Sequence, residues 1–496
     1  MKLNIQELMA KCGVKFGTSG ARGLVTDMTD MVCYAYTKGF LQFLQEAGEL
    51  KGQGSEVAVG GDLRPSTDRI MAAVLRAAAD MGFMPVNCGK VPSPAVALYG
   101  VTRHVPAIMV TGSHIPDDRN GIKFNKCSGE VLKDDEGGIL RQTVEIPEGV
   151  FDKAGAFVHP EAARAVQPQA REAYLARYLD FFPPDALKGM RLGVYQHSAV
   201  GRELLLSIFK GLGADVTPLG FSEKFIPVDT EAIRPEDMRL AREWAAQHHF
   251  DAIVSTDGDS DRPILADEHG QWLRGDVAGI LCARFLGADS VSTPVSCNSA
   301  VEKCGWFKEV RRTRIGSPFV VKSMLEASAA GARCVVGYEA NGGFLLDSDV
   351  RIGTKTLRAL PTRDAVILLL GVLLLARKQS QTVSQLAATL PARFTASGLL
   401  RNCPVEQSQA ILARFTTGDA ALDRRAVEAV FGAEFGRLAG LDRTDGVRLT
   451  FESGAIVHLR PSGNAPEFRC YNEASSAARV EAMNATCMEM LRRLTA

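Results

Sequence analysis

The 496-residue sequence has no long apolar run, no surplus of one charge and no paired-cysteine spacing. Its most apolar stretch, Ala365 to Ala376 (AVILLLGVLLLA), is 12 residues long, well short of the roughly 20 that a bilayer-spanning helix needs. It reads as a buried helix, and no membrane partner is expected. The start, MKLNIQELMAKCG, lacks a basic run ahead of an apolar core and a small-residue cleavage site, which argues against a secretory signal. Lys+Arg and Asp+Glu balance at 57 each, so no global field draws the protein toward nucleic acid. Eleven cysteines are scattered without a C-x-x-C pair or a Cys/His cluster. That excludes a zinc finger and a disulfide framework and fits reduced, buried thiols and a cytoplasmic location.

What is present is a chain too long for one core, since domains usually run to about 100–200 residues. Short β-rich runs alternate with amphipathic helical patterns, the signature of parallel α/β units. Val57–Val59 leads through GGDLRPS into DRIMAAVLRAAADMG, then to a strand at Met84–Val86; Pro106–Val110 is a further strand, stopping at TGSH. Leu192–Tyr195 precedes the helix GRELLLSIFKGLG, Asp215–Pro218 resumes extended structure, and Ala252–Ser255 runs into TDGDSDRP. Val291–Val295, Glu309–Arg312 and Cys334–Gly337 follow, separated by helical patterns. The last hundred or so residues differ, with a hairpin of Gly446–Phe451 and Ala455–Leu459, a loop RPSGNAPE, a short strand FRCY and a final helix. The pattern predicts three related α/β domains with mixed sheets and a smaller C-terminal α+β domain, over 1–155, 156–270, 271–380 and 381–496.

Four loops, each following a strand, hold polar groups that a fold alone would not need. In Thr111-Gly112-Ser113-His114, Gly112 allows a sharp turn that presents the Ser113 hydroxyl at the carboxyl end of a strand, where open α/β sheets bind ligands. A serine needs a base or a charge beside it to react, which His114 and Lys123 could supply; the bland alternative is an ordinary Ser/His turn. In Asp257-Gly258-Asp259-Ser260-Asp261-Arg262, three carboxylates at alternate positions can face one hard cation. Oxygen-only ligation suits Mg²⁺ or Ca²⁺ over zinc, and the match to an EF-hand fails after Asp261. In Glu339-Ala340-Asn341-Gly342-Gly343, Glu339 and Asn341 would project from one side of an extended loop toward sugar hydroxyls. In Arg460-Pro461-Ser462-Gly463-Asn464, with Arg469 nearby, two guanidiniums, a hydroxyl, an amide and loop N–H groups form a phosphate cradle.

The order of these motifs, from FGTSGARG and GDLRPS through TGSHIPDDRNGIKF, DGDSDR and YEANGGF to RPSGNAPEFR, resembles the α-D-phosphohexomutase family over nearly the whole chain. The resemblance implies four domains around a central cleft, with a phosphoserine at Ser113. It implies one Mg²⁺ held by Asp257, Asp259, Asp261 and the Ser113 phosphate, and a hexose 1,6-bisphosphate as priming activator. Arg22, His114 and Lys123 would act beside the reacting phosphate, with Arg262 close by. Gly316, Ser317, Glu339 and Asn341 would contact the sugar, and Arg460, Ser462, Gly463, Asn464 and Arg469 the other phosphate. The substrate would be a small hexose phosphate, handled by a monomer or homodimer.

The implied reaction interconverts hexose 6- and hexose 1-phosphate through a bisphosphate that turns over within the cleft. Ile115, Asn341, Gly343 and the Ser462-Gly463-Asn464-Ala465-Pro466 run depart from the usual Asn, Ser, His and S-G-T-E-P. The sugar and phosphate loops lean toward phosphomannomutase, with phosphoglucomutase and phosphoglucosamine mutase as alternatives. A Mg²⁺-dependent phosphatase or kinase-like transferase would have no use for a distal phosphate cradle. A non-catalytic sugar-phosphate-binding homologue would not need Ser113, Lys123 and all three aspartates.

Overall fold

A computed structural model describes every residue except 18–19, 51, 53, 163, 463–465 and 496. It divides into two compact units, residues 1–291 with 316–386, and residues 292–315 with 387–496. In the first unit, one mixed sheet orders its strands Lys15–Phe16, Gly20–Leu24, Arg119–Lys126, Ala107–Val110, Glu56–Gly61 and Met84–Lys90. Ala107–Val110 runs parallel to Glu56–Gly61 but antiparallel to Arg119–Lys126. The helix Thr67–Asp80 buries Ile70, Met71, Ala73, Val74, Ala77 and Ala78, the three-to-four spacing of one helical face. A second sheet orders Asp215–Phe221, Arg191–His197, Ala252–Thr256 and Pro263–Ala266, with only the last pair antiparallel.

A device recurs in this unit. Ala107–Val110, Ala252–Thr256 and Val335–Tyr338 each end in a polar loop and return through an antiparallel strand, respectively Arg119–Lys126, Pro263–Ala266 and Phe344–Leu346. Apart from Arg119, Lys123 and Lys126 the three returning pairs are buried, so the loops are fixed at their bases while their tips carry the polar side chains. The apolar stretch near residue 370 is the helix Ala365–Lys378, in which Asp364 caps the Val366 N–H at 3.2 Å and eleven residues are buried. Being apolar all round, it belongs inside the protein. Among the described residues no helix is long and apolar enough to cross a membrane.

The second unit is an antiparallel five-stranded sheet in the order Phe394–Arg401, Glu467–Ala474, Ile456–Pro461, Val447–Phe451, Leu438–Asp442. The hairpin forms at Val447–Phe451 and Ile456–Pro461. The short strand FRCY is instead eight residues long, because Glu467–Ala474 is paired on both edges. The edge partner Phe394–Arg401 was not anticipated; its intermediate and exposed side chains carry little alternation to read. Helices Ala420–Phe435 and Ala477–Thr495 contribute Val427, Phe431, Met483 and Leu491 to the core of this unit.

Candidate active site

Gly112 lets the chain leave its strand under the Arg64 guanidinium, where a Cβ would stand 2.8 Å from Arg64 Cζ. Ser113 then adopts φ +58°, a left-handed conformation that costs an ordinary residue about 1–2 kcal/mol. Its N–H donates to Thr111 Oγ1 at 2.8 Å, and its carbonyl accepts from Arg64 Nη2 at 2.9 Å. Arg64 also reaches the Ile115 carbonyl and the Asp62 carboxylate, and its guanidinium lies 4.1 Å from the Phe225 ring centroid. Asp62 in turn accepts from Thr67 and Thr111, each at 2.7 Å. Sequence reasoning used GDLRPS only as part of a motif string; buried charge so close to a strand end was the signal that marks Asp62 and Arg64 as holders of the serine loop.

The Ser113 hydroxyl, 1 % exposed, donates to Asp257 Oδ2 at 2.7 Å. The His114 Nδ1 lies 3.4 Å from Ser113 Oγ but 3.1 Å from Arg262 Nη1, which donates to it. Burial, then the positive charge of Arg262, pushes the His114 pKa down to about 4, so the ring is neutral at pH 7. Because Arg262 occupies the Nδ1 lone pair and Asp257 is the nearer acceptor, the serine hydrogen points to the aspartate rather than to the imidazole.

Asp257, Asp259 and Asp261 are buried, and each offers an oxygen within 4.8 Å of the others. Asp257 Oδ1 accepts from the N–H groups of Asp261 and Arg262, both at 3.2 Å, which folds the loop over its own first carboxylate. Lys123 Nζ lies 2.5 Å from Asp259 Oδ2 and 2.7 Å from Asp261 Oδ2. Ser93, which sequence reasoning passed over in a PSP turn, donates to Asp259 Oδ2 at 2.6 Å. Burial and the neighbouring carboxylates raise the pKa of Asp257. At Asp259 burial also raises it, but the Lys123 charge and donors from Lys123 and Ser93 outweigh that, and the net shift is downward. The Oδ1 atoms of Asp259 and Asp261 are buried without a hydrogen-bond partner among the described residues. Two orphaned carboxylate oxygens in an all-oxygen set fit a hard divalent cation.

Above this cluster the charge reverses. Burial and then Arg262, with Arg64 and Arg363 also contributing, lower the pKa of Arg22 to about 10 despite the nearby Asp259. Cations that repel one another are relieved by a multiply charged anion, so the arrangement favours a phosphoryl group beside Ser113.

The other expected residues fall in two places. The Glu339–Gly343 segment is a tight reverse turn rather than an extended loop. Gly342 N–H donates to the Glu339 carbonyl at 3.0 Å and Glu339 N–H to the Gly343 carbonyl at 3.1 Å. Asn341 Oδ1 accepts from Gly343 N–H at 2.9 Å, so its amide oxygen is committed to the turn. Gly316 has φ +128°, and the Ser317 hydroxyl is buried, donating to Glu130 at 2.9 Å. In the second unit Arg460 and Arg469 are cross-strand neighbours; Arg460 pairs with Asp445 at 2.9 Å and Arg469 with Glu467 at 3.4 Å. Ser462 N–H donates to the Glu467 carbonyl at 2.8 Å, and Gly463 and Asn464 lie outside the described residues.

Four family models match in succession: phosphoglucomutase/phosphomannomutase α/β/α domain I at residues 13–148, domain II at 172–270, domain III at 274–394, and the C-terminal domain at 400–490. The chain belongs to the phosphoglucomutase/phosphomannomutase family. It is 44 % identical to a phosphomannomutase of Salmonella muenchen, over 95 % of this chain and 94 % of that one. A phosphomannomutase of Sinorhizobium fredii is 43 % identical, over 97 % and 99 %. A phosphoglucosamine mutase of Clostridium botulinum is more distant at 26 %, over 94 % and 96 %. Among solved structures, a phosphoglucomutase/phosphomannomutase family protein of Burkholderia thailandensis superposes with a TM-score of 0.72 at 18 % identity, covering 96 % of each chain. The N-acetylphosphoglucosamine mutase of Aspergillus fumigatus, solved with GlcNAc-6P and magnesium, gives 0.60 at 13 %, covering 99 % and 98 %. Both share their fold with this chain.

Proposed function

We propose that this phosphohexomutase is a phosphomannomutase, interconverting mannose 6-phosphate and mannose 1-phosphate through a phosphoserine at Ser113 and a hexose 1,6-bisphosphate. The observation that carries the reading is the buried Ser113 hydroxyl, 2.7 Å from Asp257 at the edge of the three-aspartate cluster, in a chain whose relatives at 43–44 % identity are phosphomannomutases. Asp257, Asp259, Asp261 and the Ser113 phosphate would hold one Mg²⁺, which when bound draws charge from the phosphoryl oxygens. Arg22, Lys123 and Arg262 neutralise the rest as the group moves.

In the first transfer the Ser113 Oγ–P bond breaks as a bond forms from phosphorus to the free sugar hydroxyl, whose proton ends on Ser113 Oγ. After the bisphosphate turns over, its other sugar O–P bond breaks as that phosphate returns to Ser113 Oγ, and the serine proton ends on the sugar oxygen released. Glu339 and Asn341, with Gly316 and Ser317 behind them, read the sugar hydroxyls. Arg460, Ser462, Gly463, Asn464 and Arg469 hold the phosphate that is not reacting. Domain borders at about 155, 270 and 380 would place one such loop in each domain.

The test is a coupled assay of bisphosphate-primed protein with Mg²⁺ on mannose 1-phosphate, glucose 1-phosphate and glucosamine 1-phosphate. The expected result is the highest kcat/KM for mannose 1-phosphate. A preference for glucose would make the chain a phosphoglucomutase. No turnover by folded, phosphorylated protein would leave a sugar-phosphate-binding homologue.

A further inference from the structure

Three consecutive side chains, Thr362, Arg363 and Asp364, are all buried and reach in three directions. Thr362 Oγ1 donates to Glu130 Oε1 at 2.7 Å, and the other oxygen of that carboxylate accepts from Ser317. Asp364 caps the helix Ala365–Lys378, accepts from Tyr174 at 2.7 Å and from Tyr178, and donates its N–H to the Phe344 carbonyl at 2.8 Å. The backbone between these anchors has little freedom. From it the Arg363 guanidinium, its side chain 4 % exposed, reaches Asp261 Oδ2 at 3.1 Å and Glu339 Oε1 at 3.6 Å.

We propose that Arg363 is a positioning residue for sugar recognition: its guanidinium ties the metal loop to the sugar loop and sets where the Glu339 carboxylate stands. The inference rests on Glu339 reading the sugar, as proposed above. Glu339 is 5 % exposed, and its Oε1 has no hydrogen-bond partner among the described residues. At 3.6 Å the arginine orients that oxygen by charge without using its capacity to accept a hydrogen bond. A planar fork can serve two carboxylates in fixed directions, whereas a lysine ammonium is a point charge that cannot. Burial favours a protonated Glu339 and the nearby arginines oppose it, Arg363 most strongly. Gly343 supplies the room: a Cβ there would meet Arg363 Cδ at 2.5 Å and Cγ at 2.8 Å. The sequence alone hid this role, because a lone arginine before a capping aspartate looks like a helix entry.

The test is steady-state kinetics of full-length, primed Arg363→Lys, Glu339→Gln and the double variant with mannose 1-phosphate, with thermal melting as a folding check. Arg363→Lys is expected to raise KM by about tenfold, the size of one lost oriented polar contact. Acting through Glu339, it should raise KM by less than about twofold once Glu339→Gln is present. Equal increases in both backgrounds, or an unchanged KM in Arg363→Lys, overturn the inference while Glu339→Gln alone still supports the sugar reading. An unchanged KM in Glu339→Gln overturns that reading itself, and the inference with it. If Arg363→Lys fails to fold, Gly343→Ala displaces the same guanidinium without removing its charge and should reproduce the rise in KM; an unchanged KM there overturns the inference too.

Discussion

Replacing Arg64 by Met should unlock the serine loop. The Arg64 and Asp62 side chains are both fully buried, and breaking a buried pair from one side costs about 3–5 kcal/mol. Asp62 would keep the hydroxyl donors of Thr67 and Thr111 and the Arg64 N–H, which places the loss toward the lower end. The Ser113 and Ile115 carbonyls would lose their guanidinium donor as well. With the clamp gone, the strain of Ser113 at φ +58° is released by rotation toward ordinary backbone, carrying Oγ away from Asp257. We expect kcat to fall by at least about a hundredfold, which asks for roughly 2.7 kcal/mol of lost transition-state stabilisation. All three tryptophans lie at or beyond residue 244, so fluorescence would report poorly on this region. Hydrogen exchange of peptides covering 107–118 is the suitable measurement, and protection there should drop by about 3 kcal/mol. Arg64→Lys should recover little, because one ammonium cannot span Asp62 and two carbonyls. Protection within about 1 kcal/mol of wild type and kcat within threefold would refute the clamp.

Ser113→Ala should abolish mutase turnover while leaving sugar-phosphate binding measurable by calorimetry; appreciable turnover would remove the phosphoserine from the mechanism. Asp259→Asn should raise the Mg²⁺ concentration for half-maximal activity by more than about tenfold, and an unchanged titration would take Asp259 out of the metal site. His458 donates Nε2–H to the Asp445 carbonyl at 2.6 Å, and burial, the larger cause, holds its pKa near 4. Its folded value lies below its unfolded value of about 6.5, so the stability it contributes is full above that pH and is lost as pH falls toward 4. The imidazole NMR resonance should titrate near 4; a midpoint near 6.5 would mean the ring is solvated.

Why the sequence was legible where it was follows from particular residues. Helical spacing marks the helix after GGDLRPS, and alternation marks Val447–Phe451, because one face of each is buried and the other is less so, whereas Val57–Val59 is buried on both faces and reads as a short continuous apolar run. Phe394–Arg401 alternates only between half-buried and exposed positions, with the small residues Ala396 and Gly398 on the inner side, so its sequence carries little contrast. The extended reading of Glu339–Gly343 failed because paired glycines also permit a tight turn, and Asn341 closes it with its own side chain.

By itself the sequence determined the chemistry on offer: a serine after a glycine, three alternating aspartates, a Glu/Asn turn and an arginine loop, each at the end of a strand. Their residue types offer a nucleophile, oxygen ligands for a hard cation and groups that can bind an anion. Only the tertiary structure decided which of the first unit's groups meet. It set Ser113 Oγ on Asp257 across 144 positions of sequence, Lys123 between Asp259 and Asp261, and Arg64 against the serine turn. It also brought Arg363 to both Asp261 and Glu339. Pairings over such separations depend on how sheets stack and how far buried charges are desolvated, and neither leaves a local period in the chain.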